Sequence, residues 1–448
     1  MKTVEFRNEV YVVDRFDVLV AGGGTAGVCA AVSAARSGAK VCLIEQSAML
    51  GGIGTSGMMT ALIGPKNFFG GIGKEIVTEL KNQNAIYYSE RNNIWAPYQN
   101  EAMKSVLDQL VLENNVTLYL YTKVVGVIKE HNILKSVILS SIEGNFAIEA
   151  SIFIDTTGDG NLSLFAGEKF MAGDENGNVQ APTMTAYYSN IDFDKTNCFT
   201  QENGGNRDKI IQSLLPQAIK DGVIRVEDMH HPGVFQVGED YGVANCGHIY
   251  GANCFTAKGL TSATIEGRKL AKEYFEFYKR YIPGFENARY ITTASYLGIR
   301  ESRRVIGRHI CDYNDKIHYT KYVDGILRYE GGPATDMHSS SADKKSYQEY
   351  YKMYTAQAKN DELPAQPWTD MPYRALLAKE TDNLLVAGRC VSSDRFVLAQ
   401  IRVMGYCMMM GQAAGTTAAM CAKDQIISSK VNIAELQKKL QQSGILNK

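Results

Sequence analysis

The chain has 448 residues, 45% of them hydrophobic, and a formal net charge of -1, which is length enough for two domains that each bury a core. Basic residues are scattered, with Arg300, Arg303 and Arg304 as the densest group, and this excludes a surface built to track a nucleic-acid backbone. No stretch approaches the roughly twenty apolar residues of a membrane span, and Met1 to Asp14 carries charges where a secretory leader has its apolar core, so no membrane insertion and a cytoplasmic location are expected.

The first predicted strand, Phe16 to Ala21, runs directly into Gly22-Gly23-Gly24-Thr25-Ala26-Gly27. Glycines at this spacing suit a dinucleotide pyrophosphate: Gly22 for the tight turn, Gly24 for close approach of the phosphate, Gly27 for contact between helix and strand. The alanine-rich stretch Val28 to Ser37 follows and closes with Gly38, a helix whose N-terminal N–H groups face the anion. A second strand, Val41 to Ile44, delivers Glu45 eighteen residues beyond Gly27, near the spacing at which a carboxylate meets a ribose hydroxyl pair. Leu50 to Gly57 adds Gly51 and Gly52 right after Glu45, a backbone able to approach a long cofactor along its phosphates and ribityl chain, which favours FAD over NAD.

Gly73 to Asn82 and Glu101 to Glu113 carry apolar residues at helical spacing, for example Met103, Val106, Leu107 and Leu110, as packing helices do. Val116 to Tyr121, Val124 to Lys129, Ile133 to Leu139 and Phe146 to Ala150 read as an antiparallel meander, with turns at His131-Asn132 and Glu143-Gly144-Asn145. Ile152 to Ile154 returns as a buried strand and stops at Asp155-Thr156-Thr157-Gly158-Asp159-Gly160. From Glu168 to about Pro372 the dinucleotide pattern is replaced by mixed strands, loops and the helix-like stretch Ala263 to Tyr278. The apolar strand Asn383 to Gly388 and a long helical run ending near Cys421 then complete the first domain. The predicted fold is α/β: a Rossmann-like FAD-binding domain, 1–167 and 373–448, with a parallel sheet and an antiparallel meander crossover, plus an inserted α+β substrate or cap domain, 168–372.

Nine cysteines without CxxC spacing suggest neither a disulfide framework nor a zinc site, and no cysteine pair follows Gly51-Gly52. The seven histidines show no HxxH or HExxH spacing, so no metal is expected. No second strand-GxGxxG-helix unit is present, which removes a built-in NAD(P)H domain.

On the blocks Gly22 to Gly27 with Glu45 and Gly51-Gly52, Ile154 to Gly160, Leu260 to Arg268, Gly298 to Arg304, Pro372 to Arg374, Leu385 to Cys390, Ile401 to Met404 and Gly411 to Gly415, the chain resembles a bacterial family of FAD-dependent oxidoreductases within the glutathione-reductase-type superfamily. The resemblance implies that Gly22, Gly24 and Gly27, with Thr25 and Ala26, hold the pyrophosphate, that Glu45 and Gln46 hold the adenosine ribose, and that Gly51 and Gly52 line the ribityl side. It places Thr157, Gly158 and Asp159 against the cofactor, with Thr156 where the superfamily has alanine, and brings Gly388, Arg389, Arg402, Val403 and Gly411 to the site. A Gly-Asp pair in many members corresponds here to Gly388-Arg389, with Asp394 further on.

A helix beginning after Arg402 would aim its N-terminal dipole at the edge of a flavin that becomes negative on reduction, and Arg402 would add a full charge. Arg300, Arg303 and Arg304 share one side if their segment is helical, as salt bridges or as anchors of an anionic substrate. His248, His338 and Tyr373 are candidate proton donors or acceptors, which makes Arg300, Arg303, Arg402, His248, His338 and Tyr373 the candidate catalytic set. The expected activity is hydride transfer between flavin N5 and a small organic substrate, an acidic one if the arginines anchor it, with a separate electron donor or acceptor. A carrier flavoprotein working with a partner and an NAD(P)H-dependent flavin hydroxylase are the alternatives. Oligomeric state is not set by the sequence.

Overall fold

The computed structural model describes residues 9–63, 70–87, 95–228, 230, 233–356, 364 and 366–446, so the first eight residues of the charged N-terminal stretch lie outside the described residues. Strand β1 (Val12–Ala21), helix α1 (Thr25–Arg36) and strand β2 (Val41–Ile44) form the expected βαβ unit, with β1 and β2 parallel and Ala21 opposite Ile44. That register brings the glycine turn after β1 and the carboxylate after β2 to one edge of the sheet.

Strands β3 (Ala61–Ile63) and β4 (Trp95–Pro97) pair beside helices α2 (Gly71–Asn82) and α3 (Asn100–Glu113), and Met103, Val106, Leu107 and Leu110 are buried as their spacing predicts. Strand β5 (Thr117–Tyr119) adds parallel to β2, which corrects its assignment to the meander: its few residues extend the dinucleotide sheet instead. The meander consists of β6 (Lys123–Glu130), β7 (Ile133–Ser141) and β8 (Gly144–Asp155). The runs expected as two strands around Ser151 are one, because β8 lies antiparallel to β7 over its first half and parallel to β1 along its length.

Strand β1 is apolar without interruption over its last four residues, Val18 to Ala21. Val18 and Val20 join the core under α1, whereas Phe16, Leu19 and Ala21 join a second core under the meander, so both faces are covered, as parallel strands require.

Helix α4 (Asn161–Phe165) and strand β9 (Phe170–Ala172) lead into β10 (Ala186–Ser189), α5 (Phe193–Glu202), α6 (Arg207–Lys220), β11 (Gly233–Gln236), β12 (Gly242–Asn245), α7 (Ala257–Tyr281) and β13 (Arg289–Thr293). Here the strand order is β11-β12-β10-β13. The sheet packs on α7 through its own aromatic core of Tyr188, Tyr274, Phe275, Phe277 and Phe285. Strand β14 (Arg303–Val305) pairs with β9, and after α8 (Tyr313–Ile317) strand β15 (Gly325–Glu330), which precedes α9 (Lys344–Tyr354), pairs with β16 (Trp368–Pro372). Ile326, Leu327, Tyr329 and Met371 share the core under α1, so the division drawn at 372/373 does not coincide with the division between cores.

Strand β17 (Leu384–Val386) lies parallel to the end of β8, and α10 (Arg395–Ile401), α11 (Met404–Asp424) and α12 (Ile433–Gln442) complete the chain. Helix α11 packs on α1 through Gly411 and Gly415, where a Cβ would come 2.0 Å from the carbonyl oxygens of Ala26 and Ala30. Only glycine allows that approach, which aligns the helices in parallel with the N-terminus of α11 (Met404) roughly two turns beyond that of α1 (Thr25).

Candidate functional site

The three glycines of the first turn do three different things. Gly22 has φ +103, and a Cβ there would lie 2.6 Å from the Thr156 carbonyl oxygen, while a Cβ at Gly27 would lie 1.7 Å from the Gly22 carbonyl oxygen. Both are demanded by the protein's own packing. Gly24 has φ -63, and a Cβ there would meet nothing within 4 Å, so its own backbone and neighbours would accept a side chain. What it leaves open is a cradle in front of the first turn of α1, whose N-cap supplies no side-chain hydrogen bond and whose first N–H groups have no intrahelical acceptor. That is a site for a phosphate.

The rest of the cradle is built by hydrogen bonds between loops. Glu45 accepts from the Gly23 N–H and the Ser47 N–H, each at 2.7 Å, which fixes its carboxylate while leaving lone pairs toward the cleft. Gly51, at φ +100, donates its N–H to the Gly23 carbonyl at 2.8 Å. The Thr156 hydroxyl, standing where alanine is usual, donates to the carbonyls of Ala21 and Gly22 at 2.9 and 2.7 Å. Buried Asp155 accepts from the N–H and hydroxyl groups of Thr157 and Ser163, so the loop after β8 is held rigidly. Asp159 and Arg389 pair with each other at 2.7 Å, and Asp394 caps α10 through the Val397 N–H at 2.7 Å.

These loops line one side of a cleft of about 2250 Å³, well above the roughly 1,000 Å³ upper range of ordinary ligand pockets. Gly22, Gly24, Thr25, Ala26, Glu45, Gln46, Gly51, Gly52, Thr157, Gly158, Asp159, Gly388, Arg389, Arg402 and Val403 all reach it. Gly27 and Gly411 do not line the cleft: both serve helix packing, which corrects their placement against a ligand.

Arg300, Asp336 and His338 line the same cleft beside Arg402. Arg300 is held by the Ala181 carbonyl and the Thr183 hydroxyl, at 2.7 and 2.8 Å. Burial, with Arg402 nearby, lowers its pKa to about 10, so it remains a cation. Arg402 donates to Asp336 Oδ2 at 3.1 Å, and its Nε is buried with no hydrogen-bond partner. Burial raises the pKa of Asp336 although both arginines oppose the shift. Arg402 thus pairs with Asp336, while Arg300 is held by neutral acceptors and has no ion-pair partner among the described residues, so its positive charge is left for the cleft.

His338 Nε2 lies 3.3 Å from Asp336 Oδ1, and its Nδ1 lies 2.7 Å from His248 Nε2. His248 Nδ1 in turn lies 2.9 Å from Asp228 Oδ2. One ring nitrogen from each of His230, His248 and His338 falls within 4.8 Å of the other two, a convergence invisible in the sequence spacing. The 2.7 Å contact is a hydrogen-bond distance, shorter than the roughly 3.3 Å between two nitrogens that share a tetrahedral ion at 2.0–2.1 Å each.

The family pattern described as FAD dependent oxidoreductase matches residues 17–440. The chain belongs to this family. Its cofactor is FAD, and the open cradle at Gly24 with the orphaned Arg402 Nε fits a bound anionic dinucleotide. No curated protein matches the chain. Among solved structures the oxidoreductase is similar to a geranylgeranyl bacteriochlorophyll reductase-like protein of Thermoplasma acidophilum, with 14% identity, 96% of this chain and 83% of that chain covered, and a TM-score of 0.46. It is similar also to a p-nitrophenol 4-monooxygenase of Pseudomonas putida, with 14% identity, coverage of 66% and 70%, and a TM-score of 0.42. A flavin-dependent brominase shows 10% identity, coverage of 96% and 83%, and a TM-score of 0.44. No helix among the described residues is long and apolar enough to cross a membrane.

Two of the oxidoreductase's expected catalytic residues lie elsewhere. Arg303 belongs to a strand rather than a helix, so it and Arg304 point to opposite faces: Arg303 donates to the Asp159 carbonyl and Asn161, while Arg304 pairs with buried Glu301. Tyr373 is buried in the core and donates to the Ser428 carbonyl at 2.6 Å. His248 stands behind His338 rather than on the main cleft. Sequence reasoning missed Asp228 and His230, which no local pattern marks. It also missed Tyr347, Tyr350, Tyr351 and Tyr354, which line the cleft from α9 and whose i, i+3, i+4, i+7 spacing was a readable signal.

Proposed function

We propose that the oxidoreductase converts a small organic acid by a two-electron step, with Arg300 holding the substrate carboxylate and His338 handling the accompanying proton. FAD, when bound, supplies the two-electron acceptor or donor that exchanges a hydride at N5. The observation that carries the reading is a second guanidinium group, Arg300, held by neutral acceptors beside the Arg402–Asp336 pair at a cleft that already contains the dinucleotide cradle.

Each residue then has a task. The α1 N-terminus and Gly24 receive the pyrophosphate, and Glu45 the ribose. Arg402 and the N-terminus of α11 make the far end of the cradle favourable for negative charge. Arg300 is fixed by two acceptors before any ligand arrives, so little is lost in ordering it when it grips a carboxylate. The tyrosines of α9 supply flat, amphipathic surface for the body of the substrate. Electrons are returned to, or drawn from, a separate partner.

Anaerobic titration of the yellow holoenzyme with a panel of 2-hydroxy, 2-amino and 2-enoic acids tests this, the last after chemical reduction. At least one acid is expected to bleach or restore the visible flavin band directly, and its uncharged amide to do so at least about tenfold less effectively. Equal response to acid and amide, or no direct response to any acid, contradicts the reading.

A further inference from the structure

We propose that Asp228 and His248 are positioning residues that fix the tautomer of His338, leaving its Nε2 as an unprotonated base on the cleft. The inference rests on the reading above only in assigning His338 the substrate's proton.

The assignment follows from counting donors. Asp228 Oδ2 accepts from the His248 N–H at 2.7 Å and faces His248 Nδ1 at 2.9 Å. Its Oδ1 accepts from the Tyr250 hydroxyl at 2.9 Å and the His230 N–H at 3.2 Å. Three fixed donors, two backbone N–H groups and a hydroxyl, suit an ionised carboxylate, which only accepts. The His248 proton therefore sits on Nδ1, and a neutral imidazole then has a bare Nε2. That nitrogen is 2.7 Å from His338 Nδ1, so the proton in this contact belongs to His338 Nδ1. Neutral His338 is left with a lone pair on Nε2, whose 3.3 Å contact with Asp336 Oδ1 is not a hydrogen bond.

All three side chains are almost fully buried, at 1%, 3% and 5% exposure for Asp228, His248 and His338. Only His338 reaches the main cleft. The groups that face it come from every surrounding element: Asp228, His230, His248 and Tyr250 from the segments around β11 and β12, Arg300 from the turn before β14, Asp336 from its own loop, Tyr350 from α9 and Arg402 from the turn before α11. Burial, reinforced by Arg300, holds the His338 pKa well below its ordinary value, which keeps the ring neutral.

In the oxidising direction the substrate's O–H or N–H bond breaks and an N–H bond forms at His338 Nε2. The electron pair released stays on the substrate and becomes the new π bond, while the adjacent C–H pair leaves as hydride to the cofactor. The substrate is oxidised by two electrons, which bound FAD would take up. The His338 Nδ1 proton is free to shift to His248 Nε2, which places the positive charge against Asp228. Reduction runs the same transfers backwards.

The test is NMR of holoenzyme labelled with ¹⁵N-histidine, combined with stopped-flow flavin reduction. Wild-type protein should show His338 protonated at Nδ1 only, and a strongly deshielded proton in its contact with His248. In Asp228→Asn the amide donates to His248 Nδ1 and reverses both tautomers. Flavin reduction should then fall by about 100-fold or more, within the usual range for general acid–base catalysis, while the acid's Kd moves less than about threefold. His248→Gln, with near-UV circular dichroism as a check on folding, should also remove the deshielded proton. His338 protonated at Nε2 in wild type, tautomers unchanged in Asp228→Asn, or a stoichiometric divalent cation found in purified protein by elemental analysis would each overturn the proposal. Failure of every acid in the titration with the tautomers as predicted would remove the substrate assignment and leave the positioning role standing.

Discussion

The Arg389 guanidinium meets the Asp159 carboxylate at 2.7 Å, and the Ser302 hydroxyl bonds to both, at 2.6 Å in each case. This joins the loop after β17, the loop after β8 and the turn before β14 at the rim of the cleft. Burial pushes the Asp159 pKa up, but Arg389 and Ser302 together outweigh it and the net shift is downward. The pair is a brace that holds middle and late chain segments in one cofactor groove.

Breaking the brace should therefore loosen cofactor binding as well as the fold. Arg389→Met and Asp159→Asn are each expected to destabilise the holoenzyme by roughly 1–3 kcal/mol, and the double variant by less than their sum, since contacting residues couple. Denaturant unfolding of the four proteins measures this, and strict additivity would show that the contact contributes nothing.

Gly24 and Gly27 make opposite predictions from adjacent turns of chain. Gly24→Ala adds a methyl group that no protein atom opposes, so apo-protein stability should change by only about 0.5 kcal/mol while the FAD Kd rises tenfold or more. Gly27→Ala forces a Cβ onto the Gly22 carbonyl oxygen and should cost several kcal/mol or prevent folding. Calorimetry with and without FAD separates the two, and an unchanged FAD affinity in Gly24→Ala would remove the phosphate from that position.

The cradle was legible in the sequence because its parts are local: Gly22, Gly24, Gly27 and Glu45 lie within one βαβ unit, where spacing along the chain is spacing in space. Arg402 was legible as the residue before a helix. On the substrate side Arg300, His248 and His338 were named singly, but their meeting with Asp228, Asp336 and Tyr350 was not legible, because these residues come from separate segments that only the tertiary fold brings together. Arg303 misled because three arginines at i, i+3 and i+4 suggest a helical face, whereas pairing with β9 makes the segment a strand. Tyr373 misled because a tyrosine's hydroxyl reads the same whether it faces a cleft or, as here, a backbone carbonyl in the core.

His338 also makes stability depend on pH. The fold holds it neutral by burial, with a pKa lowered well below the ordinary value, whereas an unfolded histidine takes up a proton near pH 6.5. Protons thus bind the unfolded chain preferentially, and stability falls as pH drops below about 6.5. Wild-type Tm should decline more steeply between pH 7 and 5 than that of His338→Gln. An equal slope in the two proteins would show that His338 protonates as easily in the fold as outside it.

Arg300 should govern substrate affinity rather than cofactor retention. Arg300→Met removes a charge-assisted carboxylate contact worth about 1.5–3 kcal/mol, so KM for the acid should rise roughly 10- to 150-fold while FAD remains bound. Loss of FAD with unchanged KM would reassign this arginine to the cofactor.

The account depends above all on the early, middle and late glycine loops and the α11 N-terminus enclosing one FAD molecule in the cleft shared with Arg300 and His338. A crystal structure of the FAD-loaded protein measures this directly. The pyrophosphate is predicted at the N-terminus of α1 beside Gly24, the adenosine ribose at Glu45, and the isoalloxazine ring between Gly52, Val403 and the Arg300–His338 wall. A flavin bound outside this groove, or protein that takes up no FAD after reconstitution, would contradict it.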